Sequence, residues 1–213
     1  MAPTQALGLF VSSAHPAYLA WIQALLQRSD VDVRDTLDDD VAHVLIDAPF
    51  GWTLHRLAQL DGTTRSRTLI VTARTHPAYL DCLASHHVSG VATVTEPHDI
   101  VAGAYAAASS KRTYHYRSNL TFMELRVLRL LLQGVDTLTA ANRLDVSYKT
   151  INAHVSNALG KLGVEGRAQM IVHLLGGTEA SWKALEAREA IHPLVPPVTR
   201  RNAASPSPLP HAA

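Results

Sequence analysis

Between Ser147 and Leu162 the apolar side chains Ile151, Val155, Ala158, Leu159 and Leu162 recur at helical intervals, with His154 on the same stripe. That spacing predicts one helix with a buried side. Its other side carries Lys149, Asn152, Ala153, Ser156, Asn157 and Lys161, and no Asp or Glu occurs in the stretch. Periodicity of this kind describes any amphipathic surface helix; a carboxylate-free polar face can also lie along phosphates and offer amides to base edges. The flanking pattern adds to the second reading. Thr121 and Glu124 form a T-x-x-E capping signature ahead of Val127, Leu128, Leu131 and Leu132, and Gly134 marks a stop. Thr137–Leu144 predicts a short helix, Asp145-Val146-Ser147 a turn, and Ser147 the N-cap of the polar-faced helix. A helix, a tight turn and a capped helix make a helix-turn-helix arrangement. Arg167–Leu175 continues as a further helix with Met170, Ile171, Leu174 and Leu175 apolar.

The front of the chain has a different rhythm. Short apolar runs at Leu7–Val11, Val31/Val33, Val41–Ile46, Thr68–Thr72 and Val91–Val94 read as strands. Helical patterns alternate with them at Tyr18–Leu26, Trp52–Leu60, Tyr79–Leu83 and Ile100–Ala108. Alternation at this interval predicts a doubly wound parallel α/β domain, with function collected at the carboxyl ends of the strands. Between Val33 and Val44 there is room only for a short connector, in which Asp38-Asp39-Asp40 form a solvated turn. A parallel crossover commonly takes a dozen or more residues. Either the second helix is reduced to a loop, or the second strand is absent or differently paired.

Composition sharpens this two-part division. Residues 1–110 hold 6 Lys and Arg against 11 Asp and Glu, whereas residues 111–176 hold 9 against 4. An acidic front and a basic back suit two modules, the second facing a polyanion. The expected organisation is an α/β doubly wound domain over 1–108, a linker over 109–119, and an all-α helix-turn-helix domain over 120–176. A C-terminal helix (179–191) and a disordered tail rich in Pro, Ala and Ser complete it over 177–213. No apolar run approaches the roughly 20 residues of a membrane span, and the N-terminus lacks a basic segment followed by an unbroken apolar one. With Cys82 as the single cysteine, a cytoplasmic protein is expected. The 12 histidines follow no HExxH or Cys/His spacing, so neither a metal nor a cofactor is expected. Nothing marks an enzyme: no Gly-rich phosphate loop, nucleophile elbow or paired-carboxylate cluster appears.

The segments LTFMELRVLRLLLQG and AANRLDVSYKTINAHVSNALGKLGVEGR resemble the LuxR-type DNA-binding domain at nearly every apolar position. The whole chain resembles NarL/LuxR-type response regulators, which join such a domain to a receiver. The resemblance places Lys149 and Thr150 near phosphates, Asn152, Ala153, Ser156 and Asn157 at base edges, and Lys161 back at the phosphate backbone. His154 lies on the apolar stripe and so reads as a packed, hydrogen-bonded structural residue. The position of Asn152 is often basic in relatives, and Gly160 falls where a basic or polar residue is common. Few cations on the face imply a shallow salt dependence and reliance on a dimer over two half-sites.

In the front domain the resemblance makes Asp47 the candidate phosphoacceptor and Thr72 the switch position. The departures there are chemical. VSSAHP puts Ser12 and Ser13 where an acidic pair would bind magnesium, and no lysine lies near Val94. Neutral hydroxyls do not replace two carboxylates around a hard cation. The reading is an atypical receiver on a sequence-specific, dimeric, non-enzymatic regulator of double-stranded DNA, with no membrane partner and an unidentified ligand or protein partner at the front domain. Two alternatives keep the same folds: a protein-interaction regulator, and a phosphorelay regulator modified on Asp47.

Overall fold

The structure is a computed structural model and describes residues 7–26, 31–38, 41–49, 52–94 and 97–174. Strands β1 (Leu7–Ser12), β2 (Val31–Arg34), β3 (Ala42–Ile46), β4 (Thr68–Thr72) and β5 (Gly90–Thr93) pair in the order β2-β1-β3-β4-β5, all parallel. Every residue of β3 and β4 is buried, the mark of central strands covered on both faces. On one face Val44, Ile46, Leu69 and Val71 pack with Ile22 and Leu26 of α1 (Pro16–Leu26) and Ile100 and Ala104 of α5 (Pro97–Ala108). A Cβ on Gly103 would sit 2.8 Å from Leu69 Cδ1, so glycine lets α5 lie against β4. On the other face Leu45 and Ile70 meet α2 (Trp52–Gln59) and α4 (Pro77–Ala84).

The short connector is resolved in favour of a retained second strand with no helix assigned in the described part of the connection. Seven residues, Asp35 to Val41, join β2 to β3. β2 has only four residues, a length of about 13 Å, and lies two strand spacings, about 10 Å, from β3. The diagonal of about 16 Å is well within the roughly 23 Å that seven extended residues can span. The segment Trp52–Leu60, expected as one helix, is followed by an additional short helix, α3 (Gly62–Ser66), capped by Asp61 accepting from Thr64 N at 2.9 Å.

The back domain comprises α6 (Phe122–Leu132), α7 (Thr137–Leu144), α8 (Tyr148–Leu162) and α9 (Arg167–Leu174). Thr121 and Glu124 complete the expected capping box, and Gly134 takes a positive φ of 81° just beyond the helix. Residues 109–119 form no helix or strand, but they are not a free tether. Tyr114 Oη (2.7 Å), Arg117 N (3.0 Å) and Ser118 N (2.7 Å) all donate to the buried Asp81 carboxylate of α4. Thr113 N donates to Ser89 O at 2.9 Å.

The two domains share one apolar cluster, in which Tyr79, Cys82 and Leu83 of α4 join Val127, Leu128 and Leu131 of α6. All of Ala78–Ala84 is buried as a result. Polar contacts reinforce the join: Arg129 Nη1 donates to Ser85 O at 3.1 Å, and Gln133 Nε2 to Leu54 O at 3.1 Å. No described helix is long and apolar enough to cross a membrane. The helix expected at 179–191, Leu175 and the tail with Arg200 and Arg201 lie outside the described residues, as do Asp39, Asp40 and Glu96.

Candidate nucleic-acid interface

α8 starts where the sequence says it should, and the local chemistry explains why. Asp145 adopts the left-handed conformation (φ 54°) that ends α7, and Val146 N closes back onto Ala141 O at 3.1 Å. Ser147 Oγ then accepts from Thr150 N at 3.0 Å, which caps α8. Ile151 and Ala158 are buried, and Val155, Leu159 and Leu162 pack against the same cluster. α6 and α7 supply most of that support, so the outward face is held on a rigid base.

That face carries Lys149, Thr150, Ala153, Ser156 and Asn157, all exposed, with the front domain docked elsewhere. Asn152 is half-buried. Its side chain and that of Thr137 hydrogen-bond the Tyr148 phenol, in that order holding its pKa below the ordinary value. Thr150 Oγ1 lies 2.8 Å from Ser147 Oγ, so its hydroxyl also serves the cap. Lys161 differs most from expectation: its Nζ donates to Glu124 Oε2 at 2.7 Å, tying α8 to the start of α6 instead of standing free for a phosphate. His154 sits half-buried on the apolar side. Tyr148, 53% exposed, was missed by the sequence reading although its place beside Lys149 at the helix start could have marked it.

At the strand ends of the front domain, Asp47 follows β3 and meets Thr72 at the end of β4. Thr72 Oγ1 donates to Asp47 Oδ2 at 2.8 Å, and Tyr79 Oη to the same oxygen at 2.9 Å. Oδ1 is buried without a hydrogen-bond partner among the described residues. Burial raises the carboxyl pKa, with the hydroxyls of Thr72, Tyr79 and Thr53 and the charge of Arg74 opposing it. A cavity of about 360 Å³ opens here, with His15, Tyr18, Asp47 and Arg74 among its walls. Ser12 and Ser13 do not face Asp47 as a pair of ligands would. Ser12 Oγ lies 2.6 Å from His43 Nε2, and Ser13 Oγ accepts from His15 N at 3.0 Å. Buried His43, its pKa lowered to about 4 by burial and by Arg56, links Ser12 to Thr68 inside the sheet. The sequence placed Tyr79 and His43 on their elements but did not mark either as a site residue; both contacts span more than 20 positions.

A capped helix with an open, acid-free face, set on two supporting helices behind an α/β domain, defines a helix-turn-helix DNA-binding transcription regulator. Residues 118–174 match the model "GerE: Bacterial regulatory proteins, luxR family". The spore germination protein GerE of Bacillus subtilis (strain 168) is 42% identical over 65 residues, covering 30% of this chain and 88% of that protein. The Fimbriae Z protein of Escherichia coli (strain K12) is 26% identical over 206 residues, 80% of this chain and 96% of its own. A structure of two RcsB dimers bound to two parallel DNAs shares the fold with a TM-score of 0.50 at 20% identity, over 80% of this chain and 100% of that one. The chain belongs to the luxR family of bacterial regulatory proteins, with a receiver-type domain in front.

Proposed function

We propose that the chain reads a specific operator as a homodimer through α8, and that its front domain works without aspartate phosphorylation. Lys149 contacts phosphate at the helix start. Ala153, Ser156 and Asn157 face base edges, with Asn152 and Tyr148 acting as one hydrogen-bonded unit beside them. Thr150 combines capping with a phosphate contact, and Lys161 reaches phosphate only by leaving Glu124. The observation that carries this reading is the exposed, acid-free face of α8 with its apolar side packed on the helical cluster. The RcsB structure, described as dimers on DNA, supports a paired arrangement.

Magnesium fits the crevice poorly. Among the described residues Asp47 is the lone carboxylate in its wall, Ser12 is turned to His43, and one Asp47 oxygen already accepts two protein donors. Hard cations select oxygen cages rich in carboxylate, so the donor set does not support the metal-assisted transfer of a phosphoryl group.

An electrophoretic shift with genomic fragments tests the first claim. A shifted fragment, lost on Asn157→Ala and Lys149→Ala with the fold retained, is expected; no shift at low salt would favour a protein-interaction role instead. Incubation with a small phosphodonor and magnesium tests the second. Labelling of the wild type that vanishes in Asp47→Asn would make the chain a phosphorelay regulator.

A further inference from the structure

A second cavity lies on the seam between the domains, and no residue of α8 lines it. Its volume of about 420 Å³ is in the range of small-molecule sites, roughly 300–1,000 Å³. Arg65 and His86 come from the front domain, Phe122, Arg126, Arg129 and Arg143 from the back one, and among the described residues neither Asp nor Glu lines the walls. Four guanidinium groups therefore converge with no carboxylate among the described residues to neutralise them, an arrangement that costs folding energy through mutual repulsion.

Two polar atoms at the site are buried without a partner among the described residues: Arg65 Nε and His86 Nε2. His86 is only 4% exposed, and its ring forms part of the wall. A buried guanidinium N–H normally finds a partner, so the unpaired Arg65 Nε leaves this cationic wall short of acceptors. Arg129 is held in place by Ser85 O at 3.1 Å, which aims the fork across the seam. At the rim stands Phe122, 53% exposed although aromatic, a flat surface on which a ring can stack.

We propose that this seam is an effector site for a small phosphorylated ligand bearing a flat ring, of nucleotide class. Its phosphates are held by Arg65, Arg126, Arg129 and Arg143, and its ring rests on Phe122. Guanidinium forks match phosphate oxygens in pairs, which suits two or more phosphates to this wall. Because the walls come from both domains, the ligand joins them and sets how firmly the back domain is held.

Calorimetric titration of the full chain at fixed salt, with inorganic pyrophosphate and with ADP as probes, tests this. Both should bind saturably, ADP more tightly. The double substitution Arg65→Gln, Arg126→Gln should weaken both by about tenfold or more, as expected for losing charge-assisted bonds. Arg143→Gln, at the exposed rim, provides the same comparison should the double variant not fold. Phe122→Ala should bring ADP down towards pyrophosphate and leave pyrophosphate unchanged. Absence of binding to the folded wild type would overturn the proposal, as would affinities indifferent to the arginine substitutions. ADP binding no tighter than pyrophosphate would remove the ring platform. A loss caused instead by Lys149→Ala would place the anion on α8, making it a mimic of DNA phosphate.

Discussion

Removing the Asp81 carboxylate should free residues 111–118 from the front domain. Asp81 is fully buried, and three donors converge on it: the Tyr114 phenol at 2.7 Å and the backbone N–H groups of Arg117 and Ser118 at 3.0 and 2.7 Å. Burial first, then Asp81, pushes the Tyr114 phenol up, so it stays a donor across the working pH range. A hydrogen bond to a charged acceptor contributes about 1.5–3 kcal/mol. The three are not additive, and the linker regains water when it lifts, so a total of about 3 kcal/mol is a conservative figure. At 1.4 kcal/mol per tenfold, Asp81→Ala should raise the population of the lifted segment about a hundredfold. Trypsin reads that population directly, because Lys111, Arg112 and Arg117 are exposed side chains on this stretch. Cleavage after these residues should accelerate by about two orders of magnitude in Asp81→Ala. Asp81→Asn, which keeps the volume but turns a donor towards donors, should fall between. Unchanged cleavage in Asp81→Ala, in a variant that still melts cooperatively, would mean the carboxylate does not hold the linker.

Gly160→Ala on α8 should stabilise the chain by about 0.5–1 kcal/mol in chemical denaturation, because a Cβ there meets nothing within 4 Å. Asp47→Asn should raise the melting temperature at pH 7: burial lifts the carboxyl pKa above its unfolded value, so the folded protein loses stability as pH climbs through that window. The gain should vanish at pH values below the ordinary carboxylate range. Buried His43 and His86, lowered to about 4 and about 3 chiefly by burial, should stay neutral in the fold, and their imidazole NMR resonances should not titrate between pH 7 and 5. Because the unfolded chain protonates first, each should subtract about 1.4 kcal/mol of stability per pH unit below about 6.5. Glu124→Ala should destabilise the back domain, since Glu124 Oε2 accepts both Thr121 N and Lys161 Nζ at 2.7 Å. It should also free Lys161 and steepen the salt dependence of DNA binding by about one unit of slope.

Much of the architecture could be read from the residues alone. Thr68–Thr72 and Thr137–Leu144 begin and end where the pattern places them, and Ser147 caps α8, because strand alternation, helical spacing and capping are local properties. The missing crossover helix could be posed as a question but not answered, since the answer depends on where β2 lies relative to β3. α3 escaped notice because five residues, Gly62 to Ser66, are too few to show a period. On α8 the sequence grouped on one polar side Lys149, Ala153, Ser156 and Asn157, all four of which the structure leaves exposed. It could not show that Lys161 would meet Glu124, 37 positions away.

The sequence by itself determined two modules, their element order and the polar ridge of α8, all encoded within windows of a few turns. Tertiary structure alone decided that Asp81 receives the linker, that Thr72 and Tyr79 share one oxygen of Asp47, and that four arginines meet at the domain seam. Those contacts join residues distant in the chain through burial and orientation, and a linear pattern carries no record of which buried side chains will face each other.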